Sequence, residues 1–203
     1  MGSVAAGAMG RPDLMNSLLR AVDRPAREAL ELSRRPWMAT LAPALLGLVL
    51  VATNAALTGF VSAQGLRLMP RVDALSALGE ALLVVVPSTL VFSVYLRLGL
   101  SPRVLLAATA LGLLAAGLVT TCVMPLMAFL VLVSKEAPLI LALPSLFVPG
   151  LALATLASVV VRVITSLGAS RSAWWTSRAF ALLLLAVFCL RVLPHLRGLM
   201  LGH

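Results

Sequence analysis

The chain has 203 residues, a mean hydropathy of +1.07 and only 11% charged residues, far fewer charges than the roughly 25% with which soluble domains cover a water-facing surface. Its formal net charge of +9 does not point to nucleic acid, because the basic residues flank apolar blocks and no aromatic side chains are interleaved with them for base stacking. A soluble catalytic domain and a nucleic-acid partner are therefore excluded, and one membrane domain is expected.

Residues 1–12 are small and Gly-rich and are expected to be disordered. They do not read as a signal peptide, because the segment after them is charged rather than apolar. Residues 13–36 predict an amphipathic helix: Leu14, Leu18, Val22, Ala26 and Leu30 recur every four residues, with Arg20, Arg24, Arg27 and Arg34 elsewhere around the wheel. Such a segment lies along the membrane surface, with Arg20, Arg24, Arg27, Arg34 and Arg35 directed at lipid phosphates. Pro25 is a point at which it would break in two. A solvated basic linker is the alternative.

A transmembrane bundle is expected over residues 37–195, followed by a tail at 196–203. Blocks of about 18 or more apolar residues are the signature of helices that cross a bilayer. The first, Met38 to Val61, follows Arg34-Arg35-Pro36-Trp37, basic residues and then a Trp at headgroup level. A polar loop with Gln64, Arg67, Arg71 and Asp73 leads to a second span, Ala74 to Leu96, closed by Tyr95 and Arg97. Ser101-Pro102-Arg103 predicts a tight turn into the third block, Val104 to Val133. That block would be about 45 Å long as a helix, against a hydrocarbon core of about 30 Å, so it must tilt, protrude or bend. Pro125 is the place to bend. After Ser134-Lys135-Glu136 the fourth span is Pro138 to Val161. A loop from Arg162 to Arg178 carries Trp174-Trp175. The fifth span, Ala179 to Leu193, is short unless its helix starts at Trp174. The expected class is thus all-α, a polytopic bundle of about five spans behind an amphipathic interfacial helix.

Orientation follows from counting Lys and Arg. With a cytoplasmic N-terminus, Arg67, Arg71, Lys135, Arg191 and Arg197 fall outside, and the other eleven of the 16 basic residues fall inside. This predicts a multi-pass protein of the cytoplasmic (inner) membrane with its N-terminus inside. Arg191, His195 and Arg197 favour the inside, so a re-entrant or surface-lying last helix is the alternative. The dominance of Arg, Ala, Leu, Gly and Val fits a GC-rich bacterial genome.

Few residues offer chemistry. His195 and His203 are the only histidines, so no His-rich metal or haem site is expected within the membrane, and no cofactor is called for. Cys122 and Cys189 lie singly in apolar blocks and read as small hydrophobes. Glu80 lies about two turns into the second span, where an ionisable residue is a functional candidate by default. Pairing with Arg67 or Arg71 is the plainer reading. Asn54, with Thr58 one turn on, is a mid-span amide expected to hydrogen-bond across helices. Glu80 and Asn54 are also the residues that a transport or proton pathway would use. Small residues at helical spacing, Ala108, Gly112, Ala116 and Thr120 in the third span and Gly150, Ala154 and Ser158 in the fourth, predict close packing against each other or a partner.

Three stretches carry a family likeness. They are Ala26-Arg27-Glu28-Ala29-Leu30 through Arg35-Pro36-Trp37 into the first span, Ser101-Pro102-Arg103-Val104-Leu105-Leu106 opening a long span with an internal Pro, and Leu143-Pro144-Ser145-Leu146-Phe147 through a basic loop to Arg178-Ala179-Phe180-Ala181-Leu182. In this layout the chain resembles bacterial members of the Yip1 family. The resemblance implies five membrane helices, a cytoplasmic N-terminus and no established chemistry. The acidic Tyr- and Gly-Pro-containing motifs of eukaryotic members are missing, so it carries over no small-GTPase partner. The functional expectation is a non-catalytic subunit or scaffold whose partners are membrane lipids and other membrane subunits or itself. A small transporter or permease component acting as an oligomer is the alternative.

Overall fold

A computed structural model of the chain describes residues 23–66, 79–80, 82–84, 86–88, 90–91, 95, 100–133, 138–167 and 171–200. The expected disorder at 1–12, the first half of the amphipathic segment with Arg20, the loop with Arg67, Arg71 and Asp73, Ser134-Lys135-Glu136 and residues 201–203 lie outside the described residues. Every element among the described residues is helical: α1 (Pro25–Arg34), α2 (Trp37–Leu66), α3 (Pro102–Val133), α4 (Pro138–Leu167) and α5 (Arg171–Met200). Of the second expected span, the described residues between 79 and 95 are helical and the rest lie outside the description.

Local chemistry places the boundaries. The helix is interrupted before Pro25: Asp23 is helical, Arg24 is not, and Pro25 starts α1 at its first position, where its missing N–H is not needed. Glu28 in the first turn and Arg34 in the last complement the helix dipole. Arg35 is extended, at ψ 164°, as a residue before proline must be, and this separates α1 from α2. At α3, Ser101 accepts from the Val104 N–H at its carbonyl (3.0 Å) and at its hydroxyl (3.4 Å), and Pro102 takes the first helical position.

The directions of the helices follow from which residues meet. A Cβ on Gly117 would lie 2.8 Å from Leu50 Cβ and 2.9 Å from the Gly47 carbonyl oxygen, and one on Gly47 would strike the backbone of Leu113 and Leu114. One to two turns further along both helices, Asn54 bonds to Thr120 and Thr121. The residue numbers rise together, so α2 and α3 run parallel. Gly112 meets Leu156 and Gly150 meets Phe188, while Val160 shares a cleft with Leu105 and Thr109 of α3 and Phe180 of α5; the numbers run in opposite senses, so α4 runs opposite to both α3 and α5. Trp37, Pro102, Leu167 and Arg171 therefore lie at one end of the bundle, the near end, where α1 joins α2 and packs on α3 and α4.

With α2 and α3 parallel, Leu66 at the end of α2 lies at the far end and Ser101 before α3 at the near end. Val86 and Leu90 line a small cleft with Leu105 and Thr109 of α3, Val160 of α4 and Phe180 of α5. Val86 and Leu90 are half-buried against these helices, while Leu83, Val84, Val91 and Tyr95 are exposed.

Three helices are long and apolar enough to cross a membrane, over Trp37–Thr58, Pro102–Leu130 and Phe147–Leu167, with mean hydropathies of 1.8, 2.1 and 2.1. The apolar part of α5, Ser177–Leu190, is only about 21 Å long. Large apolar side chains cover the outside as well as the core: Leu45, Val49, Leu57, Leu126, Phe129 and Leu185 are all exposed. Helices apolar on every side have lipid as their solvent. The chain is a helical, membrane-embedded protein.

The loop expected from Arg162 to Arg178 is not one. Helix α4 continues to Leu167 and α5 begins at Arg171, so Trp174 and Trp175 stand on a helix. Polar residues marked the edge of the hydrocarbon, and the backbone hydrogen-bond ladder does not stop at that edge.

Candidate functional site

Two constellations emerge, a polar node between α2 and α3 and a basic, Trp-rich near end. The node depends on the two glycines. With no side chain at Gly47 or Gly117 the helix backbones touch, which brings a short amide on one helix within reach of hydroxyls on the other. Asn54 Nδ2 donates to Thr120 Oγ1 at 3.0 Å and to Thr121 Oγ1 at 2.9 Å. Both hydroxyls donate to the Gly117 carbonyl, at 2.9 and 2.8 Å, so their oxygens are left to accept. Thr58 Oγ1 returns to the Asn54 and Ala55 carbonyls. Asn54, Thr58 and Thr120 are buried. Interhelical bonds of this kind are worth about 0.6 kcal/mol on average and up to about 1.7.

Glu80 is helical and exposed. The described contacts do not bring it together with the buried Asn54.

The two small-residue stripes part company. Ala108, Gly112 and Ala116 on α3 are buried, and a Cβ on Gly112 would lie 3.0 Å from Leu156 Cδ1 and 3.2 Å from the Leu156 carbonyl oxygen. Opposite Gly112 stands a large residue of α4, Leu156, which is buried in the core with Leu153, Val160 and Ile164 of the same helix. On α4, Gly150 is half-buried, with Phe188 Cε1 3.8 Å from where a Cβ would stand, while Ala154 and Ser158 are exposed on the outside of the chain. Large into small fills a groove; small against small would leave it empty.

Gly47 and Gly117 were not among the residues singled out from the sequence. Their signal is there: Gly47 lies two turns before Asn54, and Gly117 one turn before Thr121, each on one helical face with its polar partner.

At the near end, α1 is fixed by Pro25 and Ala29, both buried, with Ala29 part of the core. Arg24, Arg27, Arg34 and Arg35 are exposed. Arg24 pairs with Asp23 at 3.5 Å and Arg27 with Glu31 at 3.7 Å, exposed ion pairs worth about 0–1 kcal/mol. Across the end, the Arg178 guanidinium lies 3.7 Å over the Trp174 ring, which meets Trp175 edge-on at 5.0 Å. Arg103 and Arg162, at the start of α3 and the end of α4, are exposed too.

No family model matches the chain, and no curated protein or solved structure matches it either.

Proposed function

We propose that the protein is a non-catalytic integral membrane subunit or scaffold, acting through helix–helix and lipid contacts in a larger assembly. On this reading the chain crosses the inner membrane of a bacterium five times, with its N-terminus cytoplasmic and α1 lying at the interface, in the manner of the Yip1-like layout. The returning chain between α2 and α3 supplies the second crossing and α5 the fifth.

The observation that carries the proposal is the outer face of α4. The helix's buried large residues, Leu153, Leu156, Val160 and Ile164, face the chain's own core, and Ala154 and Ser158 are left exposed on its surface. In lipid, small residues favour partner helices because they admit a close backbone approach. Ala154→Leu and Ser158→Leu should therefore shift the gently extracted protein from a larger species to the single chain, while Leu185→Phe on exposed α5 should not. A single chain as the wild-type species, read by native mass measurement, would reject the reading. Gly112→Leu is the wrong probe, because it disturbs the chain's own α3–α4 seam.

The second reading is a small oligomeric transporter with Glu80 and Asn54 in its pathway. An exposed carboxyl in the apolar stretch favours it. Glu80→Gln would separate the two: lost flux with normal expression supports transport, and unchanged behaviour supports the scaffold.

A further inference from the structure

We infer that the near end of the bundle is a composite docking surface for the phosphates of anionic phospholipids, built jointly by α1 and by arginines of α3, α4 and α5. The inference rests on the membrane-embedded reading and deepens its lipid contact. The amphipathic segment would meet lipid alone if it lay free; instead Ala29 is 0% exposed, packed into the core. Its arginines are thereby held at a fixed level beside those of the other helices.

That level is narrow. Arg34 ends α1, Arg35 lies two residues before the start of α2, and Arg103 is in the first turn of α3. Arg162 lies about 7 Å from the end of α4 and Arg178 about 10 Å from the start of α5. These depths fall within or just below one headgroup layer, roughly 5–7 Å thick, and an Arg side chain spans the remainder by snorkelling. All three Trp residues of the chain, Trp37, Trp174 and Trp175, are exposed at the same end, where an interfacial belt belongs.

Charge selects the partner. Among the described residues, the ion pairs are those of Arg24 and Arg27, so Arg34, Arg35, Arg103 and Arg162 have no acidic partner there. Arg178 is stacked on Trp174 and exposed. A guanidinium held at the membrane surface is satisfied by a phosphate, which it can bind through two parallel hydrogen bonds. A lipid bearing net negative charge is favoured over a zwitterionic one by the potential that such a cluster meets there.

Because every Trp is at the near end, brominated lipids that quench Trp emission report on that end. The full-length chain, reconstituted alone, should be quenched by brominated phosphatidylglycerol with a relative binding constant at least about fivefold above that for brominated phosphatidylcholine. The ratio between the lipids, taken within one variant, cancels any change in emission from the lost Arg178 contact. The R103Q/R162Q/R178Q variant should bring it close to unity, and R191Q/R197Q at the other end of α5 should leave it unchanged. Equal quenching of the wild type by both lipids would overturn the proposal. So would equal loss of preference in the two variants, which would mean net charge alone. Abolition of the preference by excess inorganic phosphate at matched ionic strength would assign the site to free phosphate and reject the lipid. The assay needs no partner subunit, so its failure leaves the assembly reading standing, and a monomeric chain leaves this surface standing.

Discussion

Glycine positions in this bundle differ in what stands opposite the missing side chain, and the differences set an order of tolerance. A Cβ on Gly47 meets the Leu113 backbone, which cannot swing away, whereas on Gly112 it meets first the end of the Leu156 side chain, and on Gly79 nothing within 4 Å. Gly47→Ala should destabilise the chain by about 1–3 kcal/mol, the usual effect of forced overpacking. Gly112→Ala should cost less, and Gly79→Ala should be neutral. Unfolding in mixed detergent micelles measures all three, and equal effects would contradict the close α2–α3 approach. Asn54 gives a second test on the same seam. Asn54→Leu removes two interhelical bonds and should cost about 1–2 kcal/mol. Thr120→Val should cost less, because Thr121 still accepts from the amide. In the transport reading the same Asn54 change would in addition abolish flux in the protein that still folds.

At the scale of elements, α1 is the informative one. Ten residues are too few to form a stable helix alone in water, so its order depends on what it packs against. Its buried contacts are Pro25 and Ala29, and Ala29→Asp would place an unpaired charge in that contact. The expected result is release of α1 with the transmembrane helices intact. Spin labels at Ser33 and Ser101 would show it as a narrow distance distribution that broadens in the variant. A distribution unchanged by Ala29→Asp would mean that α1 is held by something else. The start of α5 shows a different control. Arg171 to Arg178 read as a loop because it is polar and carries two Trp residues, yet nothing in it breaks a helix. The stacked Arg178–Trp174 pair, one turn apart on that helix, adds about 0.5–1 kcal/mol.

For the molecule as a whole, parallel α2 and α3 make a topological prediction. In a background with Cys122 and Cys189 replaced, single cysteines at Ser33 and Ser101 should react with an impermeant reagent from one side of the membrane only. Cysteines at Gln64 and Ser134 should react from the other. Labelling of Ser101 and Gln64 from the same side would mean that the chain between α2 and α3 does not cross. Which side carries the near end decides the orientation, and the arginine count predicts the cytoplasm.

Membrane embedding, the helical class and the three long apolar spans were legible in the sequence, because lipid imposes a length and a composition on any segment that crosses it. Ser101-Pro102 marked a helix start for an equally local reason, the pairing of a capping hydroxyl with a fixed φ. What lay beyond such reasoning was which face of each helix turns inward. An all-round apolar helix carries no polar face to reveal it, so the Gly150-Ala154-Ser158 stripe read the same as the Ala108-Gly112-Ala116 stripe. Only the tertiary structure decided that α3 takes its small residues into the seam and α4 turns Ala154 and Ser158 out. Only it joined Gly47 to Gly117 and Asn54 to Thr120, residues some 66 to 70 positions apart, by fitting one backbone against another. The arginines of four helices likewise share a level because of helix direction, which no single segment encodes.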